Sequence, residues 1–288
     1  MKENLNKNLS VIIPIYNEEG SIKETVNGVK SNLEGLGLDY EIIVVNDCST
    51  DKSREILEKI EGIKLINHFS NRGYGASLKT GIKNSKFDWI LIIDGDGSYP
   101  VSAIPELIKY IPEYDMVIAA RKSYKPALGK PAKWFLNKFA SYLSESKVLD
   151  LNSGLRVFNK KLALGFWNLL PEKFSFTSTI TMAALTNNYG VFNIKIDYLK
   201  RVGKSKLKPF KAFKNFSGLI MRLSLYFKPL KVFTPISVFL FLLGIIIFFY
   251  SWLFTPRILD TTTALFVISS VQVLILGMLA DLINKRKG

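Results

Sequence analysis

The sequence predicts an α/β domain with a mostly parallel sheet, followed by basic interfacial helices and a two-helix transmembrane hairpin. Three observations carry that expectation. Short apolar strands alternate with segments of helical periodicity from Leu9 to Ile196. A basic run without a single acid then fills 200–231, and two apolar stretches of membrane length follow it.

The elements read in order. Ser10–Ile15 is a strand, Tyr16-Asn17-Glu18-Glu19-Gly20 turns into a helix over Ser21–Leu36, and Glu41–Val45 is the second strand. Asn46–Asp51 leads into a helix with Ile56, Leu57 and Ile60 at helical spacing, with Asp51 placed to cap its first amides. Ile63–Asn67 is the third strand, and Asn71–Gly75 opens a helix through Ile82. Trp89–Ile93 is an unbroken apolar strand, the pattern of a strand buried on both faces, and it runs straight into Asp94-Gly95-Asp96-Gly97. Met116–Ala120, Leu155–Phe158 and Val191–Ile196 supply further strands separated by helices. Along 207–231, Phe210, Phe213, Phe216 and Leu219 interleave with lysines, the pattern of helices lying in a membrane interface.

Carboxylates at i and i+2 of an extended segment project to one side, so Asp94 and Asp96 can converge on one cation. Asp47 follows another strand and arrives at the same edge, where open parallel sheets bind ligands. Gly73-x-Gly75 hints at a dinucleotide fingerprint, but Leu78 stands where the third glycine belongs and the segment follows the third strand; a hydride-transfer enzyme is therefore set aside.

Lysine and arginine total 39 against 24 acids, a formal charge of +15 over 288 residues. The surplus sits in Lys200, Arg201, Lys204, Lys206, Lys208, Lys211, Lys214, Arg222, Lys228 and Lys231, directly before the apolar spans. That placement points to anionic headgroups and away from nucleic acid. The spans are about Val232–Phe254 and Thr261–Leu282, joined by Thr255–Asp260, with Lys285, Arg286 and Lys287 after the second. Basic flanks on both sides put those ends in the cytoplasm and the short loop outside. The expected organisation is a cytoplasmic domain over 1–206, interfacial helices over 207–231, the hairpin over 232–283 and a basic tail over 284–288. No secretory apolar region precedes Val11, so no signal peptide is expected. Cys48 is the sole cysteine and His68 the sole histidine, which excludes an intrachain disulfide and histidine-based zinc sites; His68 reads as a strand-end residue.

Val11-Ile12-Ile13-Pro14-Ile15-Tyr16-Asn17-Glu18-Glu19, Val44–Asp51 and Asp94-Gly95-Asp96 together resemble the nucleotide-sugar-binding half of family 2 glycosyltransferases, a GT-A-type fold. Asp150–Arg156 and Arg201–Lys206 resemble the branch that glycosylates polyprenyl phosphates, typified by dolichol-phosphate mannose synthase. The resemblance implies that Pro14, Tyr16, Glu18 and Asp47 line the base and ribose pocket and that Asp94 faces the sugar. Asp96 would hold Mg²⁺ or Mn²⁺ on the diphosphate, with Asp94 and Ser98 beside it. The family usually has glutamine at the position of Ser98, a departure that bears on metal geometry. Arg121, Arg201 and Lys206 would neutralise the diphosphate and the incoming lipid phosphate. Lys133, Ser153, Gly154, Ser205 and Arg156 would belong to the acceptor side; a surface charge on a strand is the other reading of Arg156.

A sugar hydroxyl needs a general base to attack, whereas a lipid phosphate is already ionised and needs cations to hold it beside the diphosphate. Between Leu151 and Lys200 the only carboxylates are Glu172 and Asp197. The implied reaction is single displacement with inversion, moving a hexose from a nucleotide sugar to a polyprenyl phosphate at the cytoplasmic membrane face. UDP-glucose and GDP-mannose both remain open as donors, and self-association through the transmembrane helices is left open. Gln272, inside the second span, is the only glutamine, so the Gln-x-x-Arg-Trp motif of processive polysaccharide synthases is absent. The alternatives are transfer to another lipid's hydroxyl and a non-catalytic membrane scaffold with the same fold.

Overall fold

The structure, a computed structural model, describes residues 8–122, 131–173, 175–199, 218–219, 221–222, 225–254 and 260–285. The chain divides into two compact units, Met1–Asn215 and Phe216–Gly288.

The first unit is built on a seven-stranded sheet of order β3-β2-β1-β4-β6-β5-β7. Its strands are β1 (Leu9–Ile15), β2 (Tyr40–Asn46), β3 (Lys64–Asn67), β4 (Trp89–Ile92), β5 (Met116–Arg121), β6 (Arg156–Asn159) and β7 (Val191–Ile196). Every pairing is parallel except those of β6, which runs antiparallel to both β4 and β5. The expected mostly parallel sheet is therefore present, with one reversed strand inside it.

The central strands carry isoleucine, valine and leucine without alternation because both faces are covered. On one face Ile13, Val44, Leu91 and Val157 meet Ile22, Val26, Val29 and Leu33 of α1 (Ile22–Glu34), residues at helical spacing, together with Ile104 and Leu107 of α4 (Ile104–Lys109). The short α2 (Ser53–Leu57) contributes Leu57 to the same cluster. On the other face Ile12, Ile90, Ile92 and Phe158 meet Leu78 and Ile82 of α3 (Tyr74–Lys83), Leu162 of α6 (Lys160–Gly165) and Ile180 of α7 (Phe176–Thr186). Between β5 and β6 lies α5 (Pro131–Ser144). This packing fixes the carboxyl ends of β1, β2 and β4 side by side.

The second unit includes the long helices Pro229–Phe254 and Asp260–Lys285. They begin slightly before and end at or beyond the expected spans. At about 1.5 Å per residue each exceeds the hydrocarbon thickness of a bilayer, about 30 Å. Mean hydropathy reaches 2.7 and 2.2, yet only 11% of each apolar window is buried, unlike a core helix of a soluble domain. Small residues let the pair approach: Gly244 lies against Phe266 and Val267, Gly277 lies against Phe233, and the Ser237 hydroxyl donates to the Ser270 carbonyl at 2.8 Å. The interfacial helices expected over 207–231 fall largely outside the described residues.

Candidate active site

Three loops at the carboxyl edge of the sheet build the site. The first joins β1 to α1. Asn17 adopts φ 55° there, its side-chain oxygen accepts the Thr50 amide at 2.7 Å, and its own amide donates to Ser49 Oγ at 3.0 Å. The Glu18 amide donates to Ser53 Oγ, and the Glu19 carboxylate accepts the Lys52 amide. Pro14 is buried in β1, while Tyr16 and Glu18 are half-buried in this loop, beside the segment that follows β2. Asp51 accepts the amides of Ser53 and Glu19. Lys52 occupies the formal cap position of α2, so Asp51 acts one residue earlier than expected and laces the two loops together. Burial opposes its charge, but the hydrogen bonds from Ser53 and Glu19 outweigh it and hold Asp51 below the usual carboxylate value.

The second loop hangs from Asp47, which is almost fully buried. Asp47 Oδ1 meets His68 Nδ1 at 2.8 Å and accepts the Arg72 amide at 2.9 Å, while Oδ2 accepts the Gly73 amide at 2.7 Å. His68 Nε2 reaches Thr80 Oγ1 at 2.9 Å. His68 thus follows β3 directly, as the sequence suggested, but it is a buried strut between the Asp47 carboxylate and α3. In this arrangement Asp47 shapes the loop from 68 to 73 with both its oxygens.

The third loop is the acidic turn. Gly97 takes φ 71°, a conformation that favours glycine. Asp94 Oδ1 accepts the Tyr74 hydroxyl at 2.8 Å. Burial first, and the Asp94 charge second, push the Tyr74 phenol well above its ordinary pKa, so it stays a donor. Behind Asp94 stands Gly154: all three heavy atoms nearest to a hypothetical Cβ there belong to the Asp94 carboxyl group. The Gly154 amide donates to the Tyr99 hydroxyl at 2.7 Å. Asp96 Oδ1 accepts both the amide and the hydroxyl of Ser98, which is fully buried. The hydroxyl in place of the family's glutamine therefore orients the aspartate.

Among the described residues no three histidine, cysteine, aspartate or glutamate side chains cluster as a complete metal cage. Two neighbouring aspartates with a serine supply hard oxygen donors, the ligand type that Mg²⁺ or Mn²⁺ would take.

The other predicted residues fall into two groups. Arg121, at the end of β5, pairs with Asp150 through Nε to Oδ2 at 2.5 Å and Nη2 to Oδ1 at 2.8 Å, and its guanidinium lies 5.1 Å from the Tyr198 ring centroid. Burial works against the charge, yet the Asp150 hydrogen bonds prevail and raise the Arg121 pKa. Tyr198 also meets the Tyr99 ring edge-on at 5.3 Å, and the Leu199 amide donates to the Ser98 carbonyl at 3.0 Å. Sequence reasoning missed Tyr74, Tyr99, Asp150 as a partner, and Tyr198; no local signal marks them.

Arg156 corrects the surface-charge reading, because it is wholly buried. Its guanidinium donates to the Ser153 carbonyl, the Thr177 carbonyl at 3.0 Å, Thr181 Oγ1 at 2.6 Å and the Leu151 carbonyl at 3.4 Å. Ser153 is likewise buried and donates to the Ala119 carbonyl at 2.6 Å. Arg156 ties β6 to α7, Ser153 ties the preceding turn to β5, and Gly154 lies between them in sequence. Of the two carboxylates between Leu151 and Lys200, Asp197 pairs with Lys122 at the surface at 3.0 Å, and Glu172 is exposed in the loop whose backbone accepts the amides of Gly75 and Ala76. Arg201, Ser205 and Lys206 lie outside the described residues, and Lys133 lies in α5 with its side chain outside them.

The chain matches glycosyl transferase family 2 over residues 10–162 and the GtrB C-terminal hairpin over residues 228–285. A curated relative, undecaprenyl-phosphate 4-deoxy-4-formamido-L-arabinose transferase of Aeromonas hydrophila, is 30% identical over 163 residues, which cover 54% of this chain and half of that protein. Glucosyl-3-phosphoglycerate synthase of Mycobacterium tuberculosis, solved with Mn²⁺, UDP and phosphoglyceric acid, superposes with a TM-score of 0.60 at 17% identity, covering 76% of this chain and 77% of its own. Its complex with UDP alone gives the same TM-score over 75% and 80%. The likeness to these structures is one of fold, the GT-A-like α/β arrangement. With the family match running from β1 through the acidic turn to β6, over more than half of its length, this chain belongs to glycosyl transferase family 2.

Proposed function

We propose that the chain is an inverting hexosyltransferase that moves sugar from a nucleotide sugar to a polyprenyl phosphate at the cytoplasmic face of a membrane. The observation that carries this reading is the pairing of an oriented acidic turn, Asp94 to Ser98, with a cation-rich acceptor side that begins at Arg121 and runs, by sequence, through Arg201 and Lys206. The name of the Aeromonas relative, an undecaprenyl-phosphate sugar transferase, and the match to the GtrB hairpin support the acceptor class.

Pro14, Tyr16, Glu18 and the loop latched by Asp47 receive the nucleoside. Asp94, fixed by Tyr74 and Gly154, faces the sugar. Asp96, with Asp94 and Ser98, would hold Mg²⁺ or Mn²⁺, which neutralises charge on the diphosphate when bound. An acceptor phosphate oxygen attacks the anomeric carbon as the bond to the diphosphate breaks, and the nucleoside diphosphate departs with the electron pair. No proton has to be removed from the nucleophile. Asp150 holds the Arg121 guanidinium in place, and by sequence Arg201 and Lys206 add cationic charge for two neighbouring phosphates. The exposed placements of Glu172 and of the Lys122-paired Asp197 are consistent with a reaction that uses neither as a base.

Membranes containing the protein, incubated with labelled UDP- and GDP-sugars and polyprenyl phosphate with and without EDTA, test this reading. The expected product is lipid-extractable, mild-acid-labile label from one donor, lost with EDTA. Label that survives mild acid would indicate a hydroxyl acceptor and refute the proposal.

A further inference from the structure

Helix α5 carries two faces of opposite character. Inward, Ala140, Leu143 and Ser144 are buried, and the Asn137 amide donates to the Leu149 carbonyl at 3.2 Å. Outward, Trp134 is 52% exposed, Phe135 48% and Tyr142 52%, with Lys138 exposed between them and Phe139 stacked on Phe135 at 6.0 Å. Positions 134, 135, 138 and 142 recur at helical spacing on the side opposite 137, 140 and 144.

A cluster of large aromatic side chains held in water is costly and marks a contact surface. Its composition says which. Tryptophan and tyrosine favour the headgroup level of a bilayer, where one end of the ring is apolar and the other wet, and lysine reaches past them to phosphates. The charge agrees: from Pro131 to Ser144 the sequence of α5 holds Lys133 and Lys138 and not one acid. That helix complements an anionic lipid surface. A chain with two helices long enough to cross a bilayer keeps this unit within reach of one.

We infer that the outward face of α5 is a membrane-docking surface for anionic lipid headgroups, separate from the basic run at 200–231. The inference concerns attachment and does not depend on which sugar or acceptor the site uses.

The test uses the full chain in vesicles. With Cys48→Ser removing the only cysteine, Tyr142→Cys carries a spin label, and Lys59→Cys on an exposed turn serves as reference. In phosphatidylethanolamine vesicles containing phosphatidylglycerol, the label at 142 should lose most of its collisions with a water-soluble nickel chelate and gain collisions with oxygen, while the label at 59 does neither. Adding Trp134→Glu and Lys138→Glu should restore nickel access at 142. Nickel access at 142 equal to that at 59 would overturn the inference. Protection from nickel without a gain in oxygen access would also overturn it, since it would indicate a protein contact in place of lipid.

Discussion

Replacing Gly154 by alanine separates the work of the Asp94 carboxylate from the stability of the fold. The new methyl group would occupy space now filled by the Asp94 carboxyl group, which supplies the three nearest heavy atoms. The backbone need not move, because the end of one side chain can retreat. That retreat breaks the 2.8 Å bond from Tyr74 and shifts the carboxylate from the place proposed for it beside the sugar. Displacing a reacting group by about 1 Å costs on the order of 10²-fold in rate, equivalent to about 2.7 kcal/mol at the transition state. Gly154→Ala should therefore lower kcat for lipid glycosylation about 10²-fold while the thermal midpoint changes by only a few degrees. Turnover on radiolabelled donor and a melting curve on the same purified protein decide it. Activity within about threefold of the parent would refute the role given to Asp94, since a change that small is well under the 10²-fold expected of displacement.

Asp150→Asn leaves the Arg121 guanidinium partly buried without its carboxylate; removing one member of such a pair costs about 3–5 kcal/mol, and a fall in the denaturant midpoint with loss of transfer activity checks it. Arg156→Lys cannot reach the Ser153, Leu151 and Thr177 carbonyls together, so chemical unfolding should show a loss of at least about 2 kcal/mol from orphaned acceptors, and a stability unchanged from the parent would contradict the buried geometry. The Tyr74 phenol ionises in the unfolded chain before it does in the fold, so its contribution to stability is complete below pH 10 and drains away as the pH climbs higher; Tyr74→Phe should flatten that alkaline loss in a melting series from pH 8 to 11.

Much of the scaffold could be read from local pattern. Unbroken apolar runs marked β1, β2 and β4, because burial on both faces of a sheet imposes that pattern directly. The direction of β6 was not legible: Arg156–Asn159 has strand composition whichever way it runs, and its reversal depends on how 122–155 returns to the sheet. At the site, Asp94 and Asp96 announced themselves through their spacing, and Ser98 through its departure from a family pattern. The partners of those residues did not, since Gly154 meets Asp94 and Tyr99 across a gap of more than fifty residues. A surface charge stayed open as a reading of Arg156 because a guanidinium held by carbonyls and a threonine hydroxyl leaves no acidic partner in the sequence to find.

The hydrogen bond from the Leu199 amide to the Ser98 carbonyl ties two stretches of chain that are a hundred residues apart in sequence. One is the turn that would tighten around a cation and its diphosphate; the other is the peptide from which the segment containing Arg201 and Lys206 departs. A tether of this kind would let occupancy on one side bias the other. Under the proposed function this tether predicts that nucleotide sugar binds before isoprenoid phosphate, read as product inhibition by the nucleoside diphosphate that is competitive against the donor alone.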